Sequence, residues 1–438
     1  MNAIAWWVSY PNKGLSRRQR SKSCARADYL ARPPACSQAL NPLHAPFRKH
    51  LAWTSDHPLG LVVERAEGVE LVVEGGRRII DLISGIAVSS IGHGHPAVRK
   101  AIHDQVDRHL HVMVYGELLL RPQIAFAELL TSLLPDQLQV CYFTSTGTEA
   151  NEGAIKVARK RTGRSRIVAF ERSYHGDTMG SLSVTGREVY RRPFEPLIPG
   201  VTFLPFDEAS ALSAIDQSTA CVITEPIQGE GGIRVPSDAW MHELRQRCSD
   251  TGALLIFDEV QTGFGRTGSF FAFEQFGVVP DIITLAKAMG GGMPLGAFVS
   301  SDDVMSALRV DPPLNHVTTF GGHPVSCAAA EAALKVLIED NLPARARDIE
   351  RIVRQRMRHP RITDVRGRGA MLGIVLDGPE FTEGVVRRCL DAGVLLGWTL
   401  HAASLVRIAP PLTIPEPILH SAVDRILEAL DHTANPLN

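Results

Sequence analysis

Two charged residues stand where buried strands end, and their types suggest one chemistry. The run GALLIF at 252–257 closes in Asp258-Glu259. The run DIITLA at 281–286 closes in Lys287, followed by Ala288-Met289 and three glycines. A charge at the end of a buried strand is costly unless something pairs with it, so folding alone explains neither residue well. A lysine so placed can form a Schiff base with an aldehyde, and a carboxylate at a nearby strand end can keep a pyridine nitrogen protonated. The pair fits pyridoxal 5'-phosphate (PLP), with Lys287 and Asp258 as catalytic residues. Burial would lower the lysine's pKa and let it act as base or acid in a proton shift at carbon.

Four further constellations carry chemistry. Thr144-Ser145-Thr146-Gly147-Thr148-Glu149-Ala150-Asn151 follows a strand and opens a helix, so its free N–H groups form an anion site suited to a phosphate. An ordinary capped helix is the plainer reading. The segment lacks the Walker lysine, which disfavours nucleotide phosphates. Ser173-Tyr174-His175-Gly176 places an aromatic at a strand end, where it either packs in a loop or lies on a planar ring. Glu225-Pro226-Ile227-Gln228-Gly229-Glu230-Gly231-Gly232 follows the buried strand ACVIT. Its acids are solvated loop charges or part of the same sheet edge as Asp258, since open α/β sheets bind ligands at strand C-termini. Arg407, in SLVRIAPPL, calls for a bidentate carboxylate or an internal salt bridge.

The elements that must position these residues alternate. QVCYFT (139–144), a helix from Thr148 to Gly163, RIVAF (166–170), ACVITEP (220–226), a helix capped by Ser237 and Gly252, GALLIF and DIITLA predict a mostly parallel sheet covered on both faces. Before it, the runs around Gly75-Gly76 predict a hairpin, and Val98, Ile102, Val106 and Leu110 predict one buried helix face. After residue 330, VRGRGAMLGIVLD, GVLLGWT and SLVRIAPPL read as strands. Ile418, Ala422, Ile426 and Leu430 share a helix face. The expected architecture is α/β: a large domain (91–330), a smaller α+β domain (331–438), and a segment (45–90) that packs with the smaller one.

The 438 residues suffice for more than one domain. A net charge of −1 gives no general pull toward nucleic acid or anionic membrane, and no apolar run approaches membrane-helix length. Seven scattered cysteines without a C-x-x-C pair point to a reducing compartment and to neither a disulfide framework nor a metal site. The expected location is the cytoplasm. Residues 1–44 hold six Arg and Lys between Arg17 and Arg32 against one acid, Asp28. They read as a disordered tail, an organellar targeting peptide (and then a matrix location) or a basic partner-binding arm.

From about residue 45 to 432 the chain resembles the class III (ω-amino acid) PLP-dependent aminotransferases of fold type I, among them acetylornithine, ornithine and 4-aminobutyrate aminotransferases. The resemblance rests on GHGHP (92–96), STGTEANE (145–152), YHG (174–176), EPIQGEGG (225–232), FDEVQTGFGRTG (257–268), LAKAMGGGMPLGA (285–297), TTFGGHP (318–324) and RIAPPL (407–412). It implies that Lys287 carries the Schiff base and Asp258 meets the pyridine nitrogen. Gln261 sits near the ring's phenolic oxygen, Tyr174 stacks on the ring with His175 beside it, and Gly147 and Thr148 bind the phosphate. Thr319 reaches the cofactor of a second copy in a homodimer. Arg407 binds the α-carboxylate of 2-oxoglutarate or glutamate, and Glu230 neutralises it while an ω-amino donor binds. One position departs. Where an arginine commonly follows the aromatic-x-Gly triplet and grips the donor's carboxylate, this chain has Asp177, which favours a donor with a distal amine. Arg187, Arg191 and Arg192 are available to replace that arginine. A diamine or diaminopelargonate-type aminotransferase, an aminomutase or racemase on the same fold, and a non-catalytic cofactor-binding protein are the competing expectations.

Overall fold

The computed structural model describes residues 41–55 and 58–433. Seven strands form the central sheet in the order Val140–Thr144, Gly296–Ser300, Ile282–Leu285, Leu254–Asp258, Thr219–Thr224, Arg166–Phe170 and Val201–Leu204. Gly296–Ser300 runs antiparallel to both its neighbours. From Ile282–Leu285 to Val201–Leu204 every pairing is parallel. The strands Thr219–Thr224 and Ile282–Leu285 are buried at every residue, because helices cover both faces and no polar alternation is needed.

Period-2 geometry sorts one strand between two cores. Ile167 and Ala169 point to the side packed by Ala154, Val157 and Ala158 of the helix Gly147–Thr162. Val168 and Phe170 point to the side packed by Trp240, Met241 and Leu244 of Asp238–Thr251. Gly153 lets the first helix approach closely: a Cβ there would lie 2.2 Å from Phe298 Cε1. The caps are the expected ones. The Ser237 side chain accepts from the Trp240 N–H, and Gly163 and Gly252 both take left-handed φ of 68°.

Two four-stranded sheets lie outside the central one. The first runs Val63–Glu67, Glu70–Val73, Arg77–Asp81 and Val394–Leu395, the last parallel to its neighbour. Its turn at Gly75-Gly76 is the predicted hairpin, both glycines having positive φ. The second runs Ile362–Arg368, Met371–Leu376, Ala402–Ile408 and Gly397–Thr399. The helix Glu416–His432 buries Ala422, Ile426 and Leu430 as expected. The first amphipathic helix differs from its pattern. It spans Pro96–Val106 and buries Val98, but Val106 is 42% and Leu110 59% exposed, and Leu110 lies beyond the helix end. Spacing marks an apolar stripe and not what covers it. Of the N-terminal tail, residues 1–40 lie outside the described residues. Asn41 donates to the Glu74 carboxylate, and a helix begins at His44.

Candidate active site

The C-terminal ends of the parallel strands converge on a cavity of about 720 Å³. Its lining includes Gly147, Thr148, Tyr174, Asp258, Gln261 and Lys287, so the expected lysine, acid, aromatic and helix N-terminus share one space. Strand geometry explains the convergence: Thr144, Phe170, Thr224, Asp258 and Leu285 are the last residues of their strands, and chemistry at a parallel sheet edge collects there. Val88, from the N-terminal segment, closes part of the wall.

Asp258 is buried, 4% exposed, and already engaged on three sides. Its Oδ2 accepts from Asn151 Nδ2 and pairs with His175 Nδ1, both at 2.8 Å, and its Oδ1 accepts from the Val260 N–H at 3.0 Å. An ionised carboxylate offers about four acceptor sites, so one remains toward the cavity that Asp258 lines. Asn151 is fixed in turn: it donates to the His175 carbonyl and accepts from the Thr284 hydroxyl. The buried Nε2 of His175 has no partner among the described residues.

Lys287 lies two residues beyond the strand Ile282–Leu285, with φ of 52°, a left-handed value that costs energy for a side-chain-bearing residue and is common at functional sites. Burial lowers its ammonium pKa, with Arg407 adding to the effect and Asp258, Glu230 and Glu225 opposing it. Of the three glycines after it, Gly291 has a packing reason. A Cβ on Gly291 would lie 2.8 Å from the Ala333 Cβ.

At the phosphate-type loop, Thr146 caps the helix Gly147–Thr162 by accepting from the Glu149 N–H. A Cβ on Gly147 would sit 2.8 Å from Val260 Cγ1, and one on Gly176 would sit 2.3 Å from Thr148 Oγ1. Bare backbone is therefore required at both positions, which leaves N–H groups at a helix N-terminus beside the cavity.

The Tyr174 hydroxyl donates to Asp177 at 2.8 Å, and burial with this bond pushes its pKa up. Glu225 accepts from the Tyr174 and Gly229 N–H groups, and burial pushes it up to about 7. Arg407, 6% exposed, donates from Nη1 to Glu230 at 2.6 Å and to Gln261 at 3.0 Å. Burial would raise Glu230, but Arg407 and the Leu400 N–H prevail and hold it below the usual range. Thr319 is not among the cavity's lining residues; it is exposed, on a surface with Phe320 and Val317. Arg187, Arg191 and Arg192 do not line the cavity either. Arg187 donates to the His401 carbonyl, and Arg191 donates to the Thr185 carbonyl.

Three buried residues lie within the motifs named from sequence but were given no role there: Asn151, Glu259 and Arg266. Asn151 lies near the start of the helix Gly147–Thr162, and its partner Asp258 is 107 residues away. Glu259 takes the Ala272 and Phe273 N–H groups and the Thr262 hydroxyl, although burial pushes it up to about 7. Arg266, fully buried and lowered to about 9 by burial, donates to the Ala370 and Pro410 carbonyls and to Ser84 and Ser90. An Arg and a Glu inside an otherwise apolar and glycine-rich run were the available signal.

The model of the family "Aminotransferase class-III" matches residues 52–430. The acetylornithine aminotransferase of Methanopyrus kandleri is 42% identical over 87% of this chain and 96% of that protein. The acetylornithine aminotransferase of Mycolicibacterium smegmatis is 42% identical over 86% of this chain and 95% of that protein. Among solved structures, the ornithine aminotransferase of Toxoplasma gondii superposes with a TM-score of 0.82 at 28% identity, covering 89% of this chain and 94% of that one. With a sheet, a lysine and a carboxylate arranged as described, the chain belongs to the class-III aminotransferases and is a PLP-dependent transaminase of fold type I.

Proposed function

We propose that the enzyme transfers an amino group from an ω-amino or basic amino acid, of the acetylornithine, ornithine or 4-aminobutyrate type, to 2-oxoglutarate. The observation that carries this reading is the buried Arg407–Glu230 pair, neither member of which lines the cavity, bonded on both sides to Gln261, which does. Two substrates that use one site in turn differ in charge near the reacting carbon. With a dicarboxylate acceptor, Arg407 has a carboxylate to bind. With an ω-amino donor, Glu230 stays on Arg407, because an unpaired buried arginine is costly. The names of the acetylornithine and ornithine enzymes among the similar proteins favour the same donor class.

PLP, when bound, supplies the aldehyde that captures the amino group and the electron sink that stabilises a carbanion beside it. Asp258, held by Asn151, His175 and the Val260 N–H, would keep the ring nitrogen protonated. Lys287 would tether the group and then move the proton, its amine kept available by burial. Gly147 and Thr148 would hold the phosphate, Tyr174 and His175 would flank the ring, and Gln261 would meet the phenolic oxygen. Asp177 bonds to Tyr174 and leaves acceptor sites for a donor's distal amine.

A homodimer is part of the proposal. Leu110, Leu118 and Leu119 (89% exposed) come from one surface stretch, and Phe320 (55% exposed), its ring tilted against His111 at 5.0 Å, joins them. An apolar face of this kind suits a second copy, and it would place Thr319 at the partner's phosphate. The free cysteines among the described residues fit a cytoplasmic location. The test is Arg407→Ala assayed with each substrate varied separately. The apparent KM for 2-oxoglutarate should rise at least about a hundredfold and that for the amino donor far less, as expected for the loss of a bidentate ion pair. Equal effects would refute the switch.

A further inference from the structure

A second cavity, of about 640 Å³, is lined by Arg172, Arg234, Arg354, Arg366 and Arg368 over a small apolar floor at Ile233 and Val235. None of its lining residues lines the active-site cavity. Five guanidinium groups around one space are unexpected in a chain whose net charge is −1.

The arginines are incompletely neutralised. Arg354 meets Glu350 and the Val365 and Gly367 carbonyls. Arg366 meets Asp364, while Arg368 meets Gln275 and stands 3.7 Å from Asp238. Among the described residues, Arg172 and Arg234 make no ion pair and no side-chain hydrogen bond. Asp207 and Glu171 act on Arg234 only from a distance, and burial followed by repulsion from Arg172 and Arg366 lowers its pKa. Five like charges with ion-pair partners for only three of them favour an anion, and guanidinium forks bind phosphate oxygens in pairs.

The cavity also abuts the parts that hold the acceptor switch. Gln228 and Arg234 exchange both backbone hydrogen bonds at 3.0 Å and so close the loop that carries Glu230. The Arg172 carbonyl accepts from His401 Nδ1 at 2.8 Å, and the His401 N–H donates to the Glu230 carbonyl. Arg172 is two residues before Tyr174, and the strand after Arg366 pairs Gly373 with Arg407.

We propose that this arginine-lined cavity is a second binding site, for a small phosphorylated anion, and that its occupancy adjusts the Glu230–Arg407 pair through the Gln228–Arg234 loop. The size suits a metabolite with two or more phosphate charges better than a polymer track. The coupling rests on the acceptor reading above; the binding does not.

Binding is measured first, by calorimetry on the PLP-loaded enzyme at fixed ionic strength, with inorganic phosphate, pyrophosphate and tripolyphosphate as probes. Affinity should rise along that series. Arg172→Gln and Arg234→Gln should each weaken tripolyphosphate about tenfold, as the loss of one charge-assisted contact does. Arg387→Gln, outside the cavity's lining, should leave it unchanged. A failure to bind, or equal weakening by all three substitutions, overturns the site. Phenylglyoxal labelling of the wild-type enzyme gives a reading independent of any variant's folding: tripolyphosphate should shield Arg172 and Arg234, and unshielded labelling overturns the site. For the coupling, tripolyphosphate should change the KM for 2-oxoglutarate in the wild type and not in the Arg172→Gln, Arg234→Gln double variant. Binding without that change overturns the coupling while leaving the site standing.

Discussion

At the scale of residues, the proposed chemistry depends on a few buried polar side chains. Lys287→Ala should abolish turnover while the protein folds and still binds some PLP, measured by the steady-state rate and by the cofactor's absorbance. Steady multiple turnover would remove Lys287 from the mechanism. Glu225 gives a pH signature in the cofactor-free protein. Burial raises its pKa from the ordinary 4.5 to about 7, so the folded state binds the extra proton between those values. The stability it favours is complete below about pH 4.5 and is lost as pH rises to 7, by on the order of 3 kcal/mol at most. Urea midpoints should therefore fall more steeply over that range in the wild type than in Glu225→Gln; parallel curves would remove the assignment. The meeting of Lys287 and Asp258 in one cavity was legible because a charge ending a buried strand needs a reason. Asn151, Glu259 and Arg266 were not, because their partners come from other elements and no local pattern announces them.

At the scale of elements, the sequence showed strands more sharply than it showed what covers them. RIVAF is a strand over those five residues, and Ser237 and Gly252 cap the helix they were expected to cap. These features are local, since period, cap and turn residues act within a few positions. The helix Pro96–Val106 shows the limit, with Val106 left on the surface of the single chain. Close packing at the helix Gly147–Thr162 gives a direct test. Gly147→Ala should weaken PLP binding about tenfold, because the new Cβ meets Val260 and displaces the N–H groups. Val260→Ala in the same chain should restore most of it, as read by cofactor titration of the single and double variants. If the second change does not rescue the first, the steric account is wrong.

At the scale of the whole molecule, the exposed apolar face around Leu119 and Phe320 carries the assembly prediction. Light scattering should show a dimer. Paired Leu119→Asp and Phe320→Asp substitutions should yield monomers that lose nearly all activity, since Thr319 would no longer reach a neighbouring site. Fully active monomers would refute shared sites. The homodimer is expected from the family resemblance and not from residue spacing, because a single chain's pattern does not say what its surface meets. The small sheet that unites Arg77–Asp81 with Val394–Leu395, and the Ser84 hydroxyl that donates to the Ala409 carbonyl 325 residues along, carry a consequence for biogenesis. As the ribosome releases the chain from its N-terminal side onward, the early hairpin must wait, one edge uncovered, until Val394–Leu395, more than three hundred residues later, has been made. Nascent chains stalled before codon 394 should thus remain susceptible to protease near the N-terminal hairpin, however completely the central sheet has already formed.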